Sequence, residues 1–203
     1  MNTESAAKPA RRGYWVIPAM LVLFGLPYIV GLWWFYSGEM PELGTNNHGV
    51  LLNPSPHLAI DSVHDLKGQS IGQQQLNKKW VLLTFSTKVC NEACAKTLFH
   101  MRQIRRATGV EQGRVARLLI ISPTVQQEYR QELERWPGLQ LSSSEQVSLQ
   151  RLKKSLESQL NSIENSIFIV DPRGDVILGY EATTNPKDIV KDLLKLLKVS
   201  AIG

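Results

Sequence analysis

The chain has two cysteines, Cys90 and Cys94, in the run Thr87-Lys88-Val89-Cys90-Asn91-Glu92-Ala93-Cys94. Four residues apart on a helical turn, they share one face, with Cα atoms roughly 6 Å apart, near the upper end of the disulfide range. As a structural staple such a bond is a poor device, because closing so short a loop removes little chain entropy. A pair at the start of a helix has other uses. Backbone N–H groups there favour thiolate over thiol; Lys88 adds to that effect and Glu92 opposes it. Such a pair can exchange disulfides or offer two soft sulfur ligands to Cu(I). The plain alternative is two buried, inert cysteines. It is the weaker reading, since residues at a strand-to-helix turn usually lie near the surface.

The elements that position the pair follow from periodicity. Trp80-Val-Leu-Leu-Thr-Phe85 is a short apolar run of the buried-strand type. A helix is expected over Ala93 to Ala107, with Cys94, Leu98 and Met101 aligned and Phe99 beside them. Leu118-Leu-Ile-Ile121 reads as a second buried strand, stopped by Ser122-Pro123. Val125, Tyr129, Leu133 and Trp136 make a helical stripe ended by Pro137-Gly138. Leu149, Leu152, Leu156 and Leu160 make another, with Ser142 to Glu145 as its capping box. Ile167-Phe-Ile-Val170, Asp171-Pro-Arg-Gly174 and Val176-Ile-Leu-Gly-Tyr180 read as a hairpin. Asn185-Pro186 opens a final helix, Asn as N-cap and Pro in its first turn, with Ile189, Val190, Leu193, Leu196 and Leu197 on its apolar face. Strand, helix, strand, helix, helix, hairpin, helix is an α/β order. With a cysteine pair after the first buried strand it predicts a thioredoxin-like sandwich, a central mixed sheet flanked by helices.

Ahead of this domain, Tyr14 to Tyr36 carries no charged residue and is long enough to cross a hydrocarbon core of about 30 Å. Pro18, Gly25, Pro27 and Gly31 are tolerable in lipid. Tyr14 and Trp15 at one end, and Trp33, Trp34, Phe35 and Tyr36 at the other, belong at the two headgroup levels. The run exceeds a signal-peptide core of roughly 7–15 residues and no A-x-A site follows it, so an uncleaved anchor is expected. Lys8, Arg11 and Arg12 precede it; Glu39 and Glu42 follow, with no Lys or Arg until Lys67. The positive-inside rule then keeps the N-terminus cytoplasmic and exports the rest. In a bacterium this is an inner-membrane protein with its C-terminal domain periplasmic. The expected organisation is 1–13 cytoplasmic, 14–36 transmembrane, 37–60 a tether of turn-forming residues, and 61–203 the thioredoxin-like domain. The net charge is a modest +5, and no basic stripe interleaves with exposed aromatics, which argues against nucleic-acid binding.

The single N-terminal anchor, the C-x-x-x-C after the first buried strand and the hairpin opening Ile-Phe-Ile-Val-Asp-Pro-x-Gly together resemble the Sco/SenC proteins, thioredoxin-fold copper chaperones and thiol oxidoreductases of cytochrome c oxidase assembly. The resemblance runs from Leu66 to Val199. It departs from the family in two places. Ala95 stands where the family has Pro after the second cysteine. The stretch Leu160-Asn-Ser-Ile-Glu-Asn-Ser166 lacks the family's third copper ligand, a His before the hairpin. His100 lies about 240° round the helix from Cys94, and His48, His57 and His64 lie upstream in or near the tether. No Pro precedes Ile167, where a thioredoxin carries its cis-proline, which also favours a Sco-like relative over an ordinary disulfide reductase.

The resemblance implies three readings. The first is a thiol–disulfide oxidoreductase that keeps the cysteines of an exported copper site reduced, with Cys90 attacking and Cys94 resolving. The second is a Cu(I)-binding metallochaperone with both sulfurs as ligands. The third is a non-catalytic assembly factor that uses the fold for docking. The missing His moves weight toward the first and third. The implied partner is an exported copper-binding oxidase subunit or another assembly factor.

Overall fold

The computed structural model describes residues 15–37, 47–132, 135–145 and 147–200. The chain divides into two compact units, Met1–Asn46 and Asn47–Gly203.

The described part of the first unit is one helix, α1 (Val16–Ser37), with a mean hydropathy of 2.1 and none of that apolar stretch buried. Its 22 residues rise about 33 Å. Pro27 lies inside it, and Leu21, Phe24, Ile29 and Trp33 are all exposed. A helix apolar on every side has no soluble face to offer and is suited to lipid. Tyr14, Lys8, Arg11 and Arg12, and the acidic flank Glu39 and Glu42, lie outside the described residues.

The second unit is built on a six-stranded sheet. Its strands are β1 (Val50–Leu51), β2 (Trp80–Ser86), β3 (Val115–Ile121), β4 (Leu139–Ser143), β5 (Ile167–Val170) and β6 (Val176–Tyr180), in the order β1-β6-β5-β2-β3-β4. The β2–β3 and β3–β4 pairs are parallel; β2–β5, β5–β6 and β1–β6 are antiparallel. This is the mixed sheet expected from the sequence. All seven residues of β2 are buried, as a central strand covered on both faces requires. Alternation along it separates two cores. Trp80 and Leu82 face α2 (Glu92–Ala107) and α5 (Pro186–Val199), with Leu98, Met101 and Leu193 packed there. Val81, Leu83 and Phe85 face α4 (Val147–Glu157), with Leu149, Leu152 and Leu156.

The β5–β6 hairpin turns at Asp171-Pro172-Arg173-Gly174. The Asp171 carboxylate accepts from the N–H groups of Arg173 and Asp175, each at 2.9 Å. Gly174 has φ +102°, and a Cβ there would come within 2.5 Å of the Leu58 carbonyl, so both conformation and space demand glycine. Asn185 caps α5 by accepting from the Lys187 N–H, with Pro186 in the first turn, as expected.

Three expectations need correction. Residues 47–60, expected as the end of a tether, belong to the folded unit. β1 pairs with β6, and Leu52, Leu58 and Ile60 are buried. The reason is that an edge strand leaves backbone groups open, and this segment satisfies some of them while covering the core. Second, Leu139–Ser143 is a strand that the sequence reading passed over. Ser142, expected in a capping box, is fully buried in it and donates to the His64 carbonyl at 2.7 Å. Third, Val125 and Trp136, expected in one helix with Tyr129, lie outside its described span. That helix is α3 (Gln126–Glu132), with Val125 and Tyr129 buried, Trp136 half-buried beyond its end, and Leu133 outside the described residues.

The folded unit is clasped at its N-terminal edge. Asp192, 1% exposed on α5, accepts from the His48 N–H (2.8 Å), the Gly49 N–H (3.3 Å) and the Tyr180 hydroxyl (3.0 Å), and sits 3.1 Å from His48 Nδ1. Burial works to raise this carboxyl, but the hydrogen bonds from His48, Tyr180 and Gly49 outweigh it and hold it below its ordinary value. A carboxyl depressed in the folded state stabilises fully above the unfolded value of about 3.9 and loses that stabilisation as pH falls through the folded value. Replacing Asp192 by Asn should therefore cost about 1–3 kcal/mol near neutral pH, read by urea unfolding of the purified chain in detergent. The gap between variant and parent should close as the pH falls below 4 or so.

Candidate functional site

The two cysteines sit where β2 passes into α2. Asn91 is the N-cap, and its side-chain oxygen accepts from the Cys94 N–H at 3.0 Å. Cys90 therefore precedes the helix, and Cys94 is its third residue. They form a disulfide with S–S 2.01 Å and Cα atoms 5.2 Å apart, inside the range such a bond spans. Cys94 is 3% exposed, whereas Cys90 is half-buried against the α2–α5 core. One sulfur is thus presented and the other shielded. The alternative of two buried cysteines is corrected for Cys90, which is half-buried.

The shielded sulfur has a polar neighbour. Cys94 Sγ lies 3.3 Å from the hydroxyl of Tyr129, itself 2% exposed. That hydroxyl is 2.8 Å from Ser86 Oγ and 3.1 Å from the Lys88 carbonyl, and Ser86 Oγ is 3.2 Å from Glu164 Oε1. Glu164 organises the loop. Thr87 N–H lies 3.1 Å from both its oxygens, and Thr87 Oγ1 donates to Oε2 at 3.0 Å. The turn that carries Glu164 is stitched to both elements of the site. Asn165 N–H donates to the Phe85 carbonyl and Thr97 Oγ1 of α2 donates to the Asn165 carbonyl. Asn165 adopts φ +59°, a conformation Asn accepts more readily than most residues.

The histidines are engaged elsewhere. His48 bonds Asp192, His57 Nδ1 lies 2.9 Å from Asp175, and His64 Nδ1 lies 2.8 Å from the Ser62 carbonyl. Burial, with Lys96 adding to it, lowers the His100 imidazole below its ordinary value. Among the described residues, no third His, Cys, Asp or Glu joins the cysteines in a group able to hold a metal ion. The stretch before β5 supplies Glu164 to the loop backbone instead. Sequence reasoning placed Cys90 and Cys94 but missed Ser86, Tyr129 and Glu164. Tyr129 was visible only as an apolar position in a stripe. The sequence signal for Glu164 was weak, a lone carboxylate among Ser and Asn ahead of a buried strand.

A mixed sheet between helices, with a cysteine pair where its first long strand enters a helix, is a thioredoxin-like fold. The family model described as "Transmembrane-like, thioredoxin-like, C-terminal domain" matches residues 80–200, and the chain belongs to that family. Solved structures agree on the fold. Apo Sco1 from Thermus thermophilus matches at TM-score 0.58 and 18% identity, over 76% of this chain and 99% of its own. Copper-bound ScoI from Arabidopsis thaliana matches at 0.54 and 14%, over 70% and 100%. Copper-bound ScoI from Bradyrhizobium japonicum matches at 0.50 and 18%, over 66% and 94%. No curated protein matches by sequence. These likenesses show a thioredoxin-like fold, one that Sco proteins share.

The difference in exposure sets an order of reactivity. After reduction, native-state alkylation should label Cys90 first, with label on Cys94 lagging, because the thiolate must be reached as well as formed. Peptide mass spectrometry over a time course checks this. Equal labelling of the two would contradict the assignment of Cys90 as the presented sulfur.

Proposed function

We propose that this chain is a membrane-anchored, Sco-like thiol–disulfide exchange protein that assists assembly of the copper site of a cytochrome c oxidase. The observation that carries the reading is the Cys90–Cys94 disulfide at the mouth of α2, with one sulfur half-buried and the other shielded. That asymmetry suits exchange, in which an exposed thiolate attacks and a sheltered one resolves the mixed disulfide. In the reducing direction, Cys90 attacks a disulfide of the partner, and Cys94 then attacks Cys90 Sγ and releases the partner's thiolate. The partner is an exported copper-binding oxidase subunit or another assembly factor. A second reading rests on relatives of the same fold that carry copper. Two thiolates are soft donors suited to Cu(I) as cargo, with the third position left to the partner or a small molecule. A non-catalytic docking role is the third.

Membranes from cells carrying the Cys90→Ser, Cys94→Ser double variant should show loss of most oxidase activity, with the copper-site cysteines of the oxidase accumulating as disulfide. Normal activity and normal thiol status beside a folded, membrane-bound variant would end both the exchange and the copper readings and leave docking.

The anchor reading makes a separate claim. α1 is long and apolar enough to cross a bilayer, and the charges on its flanks favour a cytoplasmic N-terminus. A C-terminal fusion to alkaline phosphatase should be active, and a fusion to a reporter that works only in the cytoplasm should be silent. The opposite pattern would reverse the orientation.

A further inference from the structure

We propose that Tyr129 is a catalytic residue of the exchange reaction, its hydroxyl donating a hydrogen bond to Cys94 Sγ as that sulfur gains negative charge. The inference rests on the exchange reading above and goes beyond it by assigning a residue outside the cysteine motif.

The geometry supplies the donor. The Tyr129 oxygen is 3.3 Å from Cys94 Sγ, within reach of an O–H···S hydrogen bond, and both groups are almost fully buried. No solvent competes at such depth, so a hydrogen bond to a charged sulfur is worth more than it would be in water. The hydroxyl carries one proton, which it can direct to one acceptor or another. Beside the neutral disulfide sulfur, Ser86 Oγ at 2.8 Å and the Lys88 carbonyl at 3.1 Å are the better acceptors. Once Cys94 bears charge, its sulfur becomes a stronger acceptor than either of these neutral groups. The Ser86 hydroxyl, held between Glu164 and the Lys88 carbonyl, can then turn to support the phenol oxygen.

The chemistry balances without any further reagent. A thiolate attacks Cys90 Sγ, the more accessible sulfur. A new S–S bond forms between the attacker and Cys90, the Cys90–Cys94 bond breaks, and its electron pair leaves on Cys94 Sγ as thiolate. The attacking sulfur is oxidised and Cys94 is reduced. Tyr129 transfers no electrons and keeps its proton. It stabilises the leaving sulfur, and a less basic leaving thiol departs faster. The reverse step passes through the same transition state, so the same hydrogen bond holds Cys94 ready to resolve a mixed disulfide.

The test uses the oxidised full-length protein in detergent, reduced by excess dithiothreitol, quenched in acid and alkylated for mass spectrometry. Tyr129→Phe should slow reduction roughly tenfold, about the effect of losing one charge-assisted hydrogen bond, while its thermal unfolding midpoint stays close to the parent's. Ser86→Ala should slow it by a smaller factor, since the donor remains but loses its support. Leu197→Ala, a core change in α5 away from the cysteines, should leave the rate unchanged even though it destabilises the fold. An unchanged rate in Tyr129→Phe would overturn the proposal. Should that variant fail to fold, an unchanged rate in Ser86→Ala would do so. Because dithiothreitol takes the place of the biological partner, a slow Tyr129→Phe protein alongside normal cells carrying the double Ser variant would keep the Tyr129 assignment and discard the physiological one.

Discussion

Where β2 runs out, the backbone of Thr87 leaves the sheet and its N–H must find another acceptor. The Glu164 carboxylate supplies it, taking the Thr87 N–H and hydroxyl together and standing within reach of Ser86 Oγ. A backbone donor at a partly buried strand end is costly to leave unmet. Charge on the acceptor makes these bonds stronger than neutral ones. The rest of the site is laid out from that anchorage. Lys88 directs its carbonyl toward Tyr129, Cys90 emerges at the half-buried surface, and Asn91 closes the turn by capping α2. A carboxylate three residues ahead of β5 thus fixes a loop that is almost eighty residues earlier in the chain.

The anchorage holds only because the framework beneath it is stiff. β2 has β3 on one side and β5 on the other, and both of its faces are covered. Leu82 with Leu98 and Met101 on one face, and Val81, Leu83 and Phe85 with the α4 leucines on the other, give two close-packed layers. Phe85 also meets Phe168 edge to face, with ring centroids 5.9 Å apart. This contact joins the end of β2 to β5, the strand that directly follows the Glu164 turn, and packs the two together.

How much of this the sequence disclosed depends on where the information lay. β2, β3 and the hairpin were legible because strands buried on both faces write continuous apolar runs. α5 was legible because Asn185-Pro186 states its start chemically. β1 was not, because two exposed residues, Val50 and Leu51, pair through their backbones and need no pattern. β4 was hidden because Leu139-Gln-Leu-Ser-Ser ends in two serines that also suit a helix cap. Asp192 could not be foreseen as a clasp. A carboxylate one position from Leu193 reads as a solvated face until His48, far away in sequence, is seen bonded to it. The cysteines declared themselves by type and spacing. Their surroundings did not, because Ser86, Tyr129 and Glu164 come from three separate segments and only the sheet topology brings them together.

The spacing of the two cysteines connects fold to chemistry. With Asn91 as the N-cap in extended backbone, Cys90 lies outside α2, while Cys94 enters the first turn and is carried under α3 against Tyr129. At this spacing the sulfurs can bond and still occupy different environments, one open to an incoming thiolate and one dry and beside a hydroxyl. Such inequality suits thiol–disulfide exchange, since the sulfur that is attacked can be reached and the sulfur that leaves lies beside a hydrogen-bond donor. Two equivalent sulfurs would serve a soft metal ion equally well. On the proposed reading, the Tyr129 hydroxyl 3.3 Å from Cys94 Sγ favours exchange.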